Sequence, residues 1–121
     1  MRNLPWKSIL AWLLSAFFVL GGIGNIFASE TILADYRRWG YPDGFNYLTG
    51  TLEFAAALLI AYRPTRLAGA ALASVVMVAA AGTVLSNGEF GHAIAPLAVL
   101  SVALIVGFQA RKTARDGLNG G

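Results

Sequence analysis

Long stretches without charge constrain this chain more than any other feature. No Asp, Glu, Lys or Arg lies between Lys7 and Glu30, between Arg66 and Glu89, or between Glu89 and Arg111. A fourth apolar stretch, Gly44 to Tyr62, holds a single charge, Glu53, at its midpoint. A helix rises about 1.5 Å per residue and a bilayer core is about 30 Å thick, so about 20 apolar residues cross it. Each stretch is about that long. The pattern predicts an all-α protein, a transmembrane four-helix bundle with helices near 6–28, 44–62, 67–86 and 92–110. One domain fills residues 1–110, and 111–121 reads as a basic, disordered tail.

Composition agrees. Charged residues make up 12% of the chain, against about 25% for water-facing domains. The net charge of +3 does not indicate a nucleic-acid partner, because the basic residues sit singly or in short groups at span ends. The absence of cysteine excludes disulfides, thiol redox chemistry and cysteine-held clusters. A lone histidine excludes bis-histidine haem ligation within one chain. No nucleophile or metal constellation is legible, so the reading leans away from an enzyme and away from a metal, and no cofactor is evident. The apolar run 8–28 exceeds the roughly 7–15 residues of a signal-peptide core and is expected to remain as a helix.

Lysine and arginine positions set the expected orientation. Seven of the nine, at the N-terminus, in the turn holding Arg63 and Arg66, and in the tail, fall on one face of an even-numbered bundle. Both termini are therefore expected in the cytoplasm. The opposite face has Arg37 and Arg38, offset by Glu30, Asp35 and Asp43. The connection Ser29–Asp43 mixes apolar and charged residues at helical spacing. It reads equally as a short helix on the outer surface or as a wet connector, with Trp39 and Tyr41 as interface anchors.

Glu53 is the leading candidate for chemistry. A mid-membrane carboxylate costs about 2.5–3.5 kcal/mol on insertion scales, so it must be protonated, paired or facing a polar cavity. Asn46, Gly50, Glu53 and Ala57 form a polar or small stripe, while Leu52, Leu59 and Ile60 are expected to face lipid. Glu53 serves either as an interhelical hydrogen-bond donor or as a ligand-binding or proton-responsive carboxyl. Asn25, near the end of the first span, is the expected partner, unless backbone carbonyls satisfy its amide. Gly21 and Gly22 beside it allow close helix approach, as do Gly50, Gly69 and Ala73 in the small-residue patterns of the second and third spans. His92 reads as a wet or capping residue, and Pro96 is expected to kink the last span. Depth alone places Asn25, Asn46, Glu53, Thr83, Ser86 and His92 around one polar cavity in the outer half of the bundle.

Several short motifs, taken in order, resemble the DoxX-like family of small four-helix membrane proteins. They are Gly21-Gly22-Ile23-Gly24-Asn25, Trp39-Gly40-Tyr41-Pro42, Gly50-Thr51-Leu52-Glu53-Phe54, and Pro96. The resemblance covers essentially the whole chain. It implies a multi-pass protein of the bacterial inner (plasma) membrane, and some relatives are associated with quinone-linked oxidoreductases or oxidative-stress assemblies. The chain departs from the family in carrying Asn25 where relatives often have lysine, and in lacking a histidine in Gly82–Asn87.

Three functions follow as expectations. The first is an accessory or scaffold subunit of a membrane assembly, quinone-linked by family resemblance, with a membrane-protein partner or a second copy of itself. The second is a binder or modifier of a small lipophilic molecule such as a quinone, using Glu53 and Asn25. The third and weakest is a proton-coupled exporter, since comparable exporters carry their essential glutamate in the first span.

Overall fold

The computed structural model describes the backbone of residues 6–120 and the side chains of residues 7–116. Arg2 and Gly121, used above to assign orientation and the tail, lie outside the described residues. Five α-helices follow one another: α1 Trp6–Ile26, α2 Glu30–Arg38, α3 Phe45–Ala61, α4 Arg66–Ser86 and α5 Ile94–Gly120. Single 3₁₀ turns at Arg63–Thr65 and Phe90–Ala93 join the last three. No strand occurs among the described residues.

Local chemistry explains where the chain turns. Ser29 caps α2, its Oγ accepting from the Ile32 amide at 3.3 Å. Glu30 opens that helix and Arg37 and Arg38 close it, each matching the helix dipole. Past Trp39 the chain leaves through Gly40 at φ +88°, with Gly40 N–H donating to the Arg37 carbonyl and Tyr41 N–H to that of Tyr36. This pair of bonds is a Schellman ending, and its left-handed residue favours glycine. At the far end of α3, Arg66 donates to the Ile60 carbonyl at 2.7 Å and Thr65 to that of Leu59 at 2.8 Å. These bonds satisfy carbonyls that the helix end would otherwise leave open.

The long helices pack in sequence: α1 on α3, α3 on α4, α4 on α5, with a lighter α5–α1 contact closing the ring. Phe18, Ile60 and Val106 fill the centre, and Ala11, Ala56, Ala57, Ala73 and Ala103 let the backbones draw near. Glycine sets the closest approaches. A Cβ on Gly22 would stand 3.1 Å from the Gly50 carbonyl, and one on Gly50 3.0 Å from that of Gly22. A Cβ on Gly69 would meet the Ile60 nitrogen at 2.6 Å. α1 and α3 are thus tightest towards the α2 end, and α3 and α4 towards the opposite end.

The outside is apolar along its length. Trp12, Leu13, Leu20, Leu58, Val75, Ile94 and Phe108 are all more than half exposed. Continuous apolar surface of this kind marks contact with a membrane rather than water. Three segments are long and apolar enough to cross one, Lys7–Ile26, Arg63–Ser86 and Phe90–Asp116, while α3 is shorter at 17 residues.

Three expectations need correction. Ile60 does not face lipid. It is fully buried and Leu52 packs on the core, because α3 is flanked by both α1 and α4; Tyr47, Leu48 and Leu58 are its exposed large apolar residues. Pro96 does not kink α5, because that helix starts at Ile94 and its third residue has no intrahelical N–H bond to lose. Instead of fraying after Ala110, α5 runs on to Gly120. Its Ala-Arg-Lys-Thr-Ala-Arg continuation is rich in strong helix formers and carries the helix beyond the charge-free run.

Candidate functional site

Asn25 lies in the last turn of α1, where carbonyls have no helical partner. Its own carbonyl accepts from Asn46 Nδ2 at 2.7 Å, which ties the end of α1 to the start of α3. Its side chain faces the other way. Nδ2 donates to the Gly21 carbonyl at 3.1 Å and to Glu53 Oε1 at 2.5 Å, while Oδ1 accepts from the Tyr36 hydroxyl at 2.7 Å. One amide therefore links α1, α2 and α3, and its orientation is fixed at both ends.

Glu53 is 5% exposed. Its Oε1 takes the Asn25 bond, and its Oε2 has no hydrogen-bond partner among the described residues. Nor is Oε2 sealed in, since no fully buried side-chain oxygen or nitrogen lacks a partner among them. Glu53 lines a cavity of about 580 Å³ bounded by all five helices. A volume of that size suits a small organic molecule.

The wall is mainly apolar, with Leu48, Leu52, Val75, Val76 and Met77 among its members. Its polar groups are few: Glu53, Asn25, Tyr36, Tyr41, Thr49, Thr83, Asp35 and His92. Thr83 donates to the Ala79 carbonyl at 2.8 Å, which makes Tyr41 the donor in its 2.5 Å bond to Thr83 Oγ1. Tyr41 stacks on Phe45 at 4.2 Å, and Tyr36 stands edge-on to Trp39 and Tyr41 at 5.8 and 5.9 Å. These aromatics roof the cavity at the α2 end. Burial holds the Tyr36 phenol above its ordinary pKa, so it stays a donor across the physiological range.

Glu89 fastens that roof. Arg38 binds it through Nε at 3.1 Å and Nη2 at 2.9 Å, Trp39 Nε1 donates to it at 3.0 Å, and His92 Nδ1 lies 2.9 Å away. Arg38 also grips Asp35 at 2.7 Å. The Arg38 guanidinium, then the Trp39 indole, hold the Glu89 carboxyl at about 2, and the Arg38 pKa rises in turn. A bidentate arginine–carboxylate pair is the stronger geometry for such a tether.

Asn25, Glu53, Thr83 and His92 thus share one cavity with Trp39 and Tyr41, whose polar atoms bond Glu89 and Thr83. Asn46 and Ser86 are not in its wall; the Asn46 amide is committed to the end of α1. Gly21 lies against the Glu53 carboxyl, Gly22 and Gly50 form the α1–α3 contact, Gly69 meets α3, and Ala73 is fully buried. Sequence reasoning missed Tyr36, Thr49, Arg38 and Glu89 as members of the site or its tether. The Ile32, Asp35, Tyr36 and Trp39 spacing of 3, 1 and 3 was the available signal, since it puts all four on one face of α2. Among the described residues no cluster of His, Asp and Glu could hold a metal ion.

A carboxyl with one oxygen engaged and the other without a partner among the described residues can accept from a hydroxyl or, when protonated, donate to a carbonyl. The model of the DoxX-like family matches residues 9–106. No curated protein and no solved structure matches the chain.

Proposed function

The chain belongs to the DoxX-like family of multi-pass membrane proteins, and we propose that it holds a small lipophilic molecule, such as a quinone, at Glu53. In this reading α1, α3, α4 and α5 form a transmembrane four-helix bundle in the bacterial plasma membrane, with both termini cytoplasmic. The cavity then lies in the outer half of the membrane. The observation that carries the proposal is Glu53, which lines a largely apolar cavity of about 580 Å³ and whose Oε2 has no partner among the described residues. A ring with a carbonyl or hydroxyl matches that pairing of one polar anchor with apolar walls.

Asn25 serves as the positioning residue. It fixes Oε1 and leaves Oε2 for the ligand, and Thr83 and Tyr41 offer a further polar contact on the α4 side. The amide also interrupts any proton path from Tyr36 to Glu53, which supports binding over proton-coupled export. The wider setting we propose is an accessory or scaffold role, the chain presenting its ligand to a membrane redox partner.

Native mass spectrometry of protein released from its own membranes tests both levels. A small molecule present in wild type and missing from Glu53→Gln supports the binding site, and equal retention rejects it. A protein partner retained by both forms supports the accessory role, whereas release as a lone chain counts against it.

A further inference from the structure

α3 and α4 touch at one end and part at the other. Near the Arg63–Thr65 turn, Gly69 brings the α4 backbone against Ile60. Towards the α2 end the cavity lies between them, lined by Leu48 and Leu52 from α3 and by Val75, Val76 and Ala79 from α4. Leu48 of α3 and Val75 of α4 line the cavity there, yet are 50% and 65% exposed. The same side chains therefore bound both the interior space and the outer apolar surface. Ala79, also exposed, stands one turn from Val75 in the same wall.

The axial route is different. Ile32, Asp35, Tyr36 and Trp39 of α2 and its end cover the cavity, and Glu89 ties them down through Arg38 and Trp39. We infer that the cavity opens sideways into the bilayer between α3 and α4, and that its ligand is an amphiphile with a neutral head and an apolar tail. This rests on the binding reading above. The head lies at Glu53 and Asn25, and the tail leaves past Leu48 and Val75 into lipid. The lining argues against an anionic head, since among the described residues it contains no lysine or arginine to meet a phosphate. Its second carboxyl, Asp35, is already paired with Arg38, so a neutral group that hydrogen-bonds to Glu53 suits it. Entry from the membrane phase lets the ligand reach Glu53 without release of the α2 tether.

The test uses the full chain in vesicles with the other two tryptophans, Trp6 and Trp12, changed to phenylalanine. Trp39 then reports from the cavity wall. Two benzoquinones, one with a methyl and one with a decyl side chain, serve as quenching probes. Ala79→Phe, which plugs the gap, is expected to weaken saturable quenching by the decyl probe about tenfold and to leave the methyl probe unchanged. Val75→Phe is a second plug with the same expectation. Val78→Phe, exposed to lipid and outside the lining, is expected to change neither probe. Unchanged decyl binding in both plugged variants overturns the lateral opening and leaves the site standing. Loss of both probes alike in both plugged variants also overturns it, because the gap then makes no distinction between a ligand with a tail and one without. Glu53→Gln binding both probes like its parent overturns the binding reading instead.

Discussion

Gly21 of α1 lies directly against the Glu53 carboxyl of α3, where an added Cβ would stand 2.6 Å from Oε2 and 3.1 Å from Cδ. The atoms it would strike are the far end of a flexible side chain, so the carboxyl can yield while the helices stay in place. Gly21→Ala is therefore expected to displace the Glu53 carboxyl and weaken ligand retention about tenfold or more, without driving α1 and α3 apart. Gly24→Ala, which meets nothing within 4 Å, is expected to keep the ligand. Equal ligand retention by the two variants in native mass spectrometry would contradict this.

Gly69 has no such yielding neighbour. Its added Cβ would meet the Ile60 nitrogen at 2.6 Å and Leu59 Cβ at 2.7 Å, so backbone must move. Gly69→Ala is expected to destabilise the fold by about 1–3 kcal/mol. Thermal unfolding in detergent checks this, with Gly82→Ala as the unstrained control.

Asn25 and Glu53 are expected to differ in what their loss does. Glu53→Gln keeps an oxygen to accept from Asn25, and its effect on stability is expected to be small. Asn25→Leu strands the Tyr36 hydroxyl and Glu53 together, at a cost of about 1–3 kcal/mol for each buried group left unpaired. A melting temperature lowered more by Glu53→Gln than by Asn25→Leu would reverse the assignment of Asn25 as the hub.

The Glu89 tether carries a pH signature. Its folded pKa of about 2 lies below the ordinary 4.5, so its contribution is complete above that ordinary value and is lost as pH falls through about 2. Trp39 emission is expected to hold steady from pH 7 to 4.5 and to shift only nearer 2. In Glu89→Gln the shifted emission is expected at every pH. A wild-type transition centred near 4.5 would show that Arg38 and Trp39 do not hold the carboxylate in solution.

Orientation can be read by thiol labelling, because the chain has no cysteine of its own. With cytoplasmic termini, Asp43→Cys is expected to react with an impermeant maleimide in intact cells and Arg63→Cys only after lysis. The reverse pattern would place both termini outside.

The sequence by itself determined that the chain is helical and apolar, and roughly where each long helix runs. That information is one-dimensional: charge-free runs of bilayer length, broken by Pro64, Gly88 and charged pairs, need no partner to be read. It also singled out Glu53, since a carboxyl in an apolar run is costly wherever the helix points. Helix rotation was another matter. Whether Ile60 faced lipid or the core depended on α3 having neighbours on two sides, which no periodicity in one helix reveals. The tertiary structure alone brought Tyr36, Asn25 and Glu53 into one hydrogen-bonded line from three helices. It alone joined Arg38 and Trp39 to Glu89 across about fifty residues. A side-chain pair of that kind is chosen by how backbones approach, and here Gly22 against Gly50 and Gly69 against Ile60 set that approach.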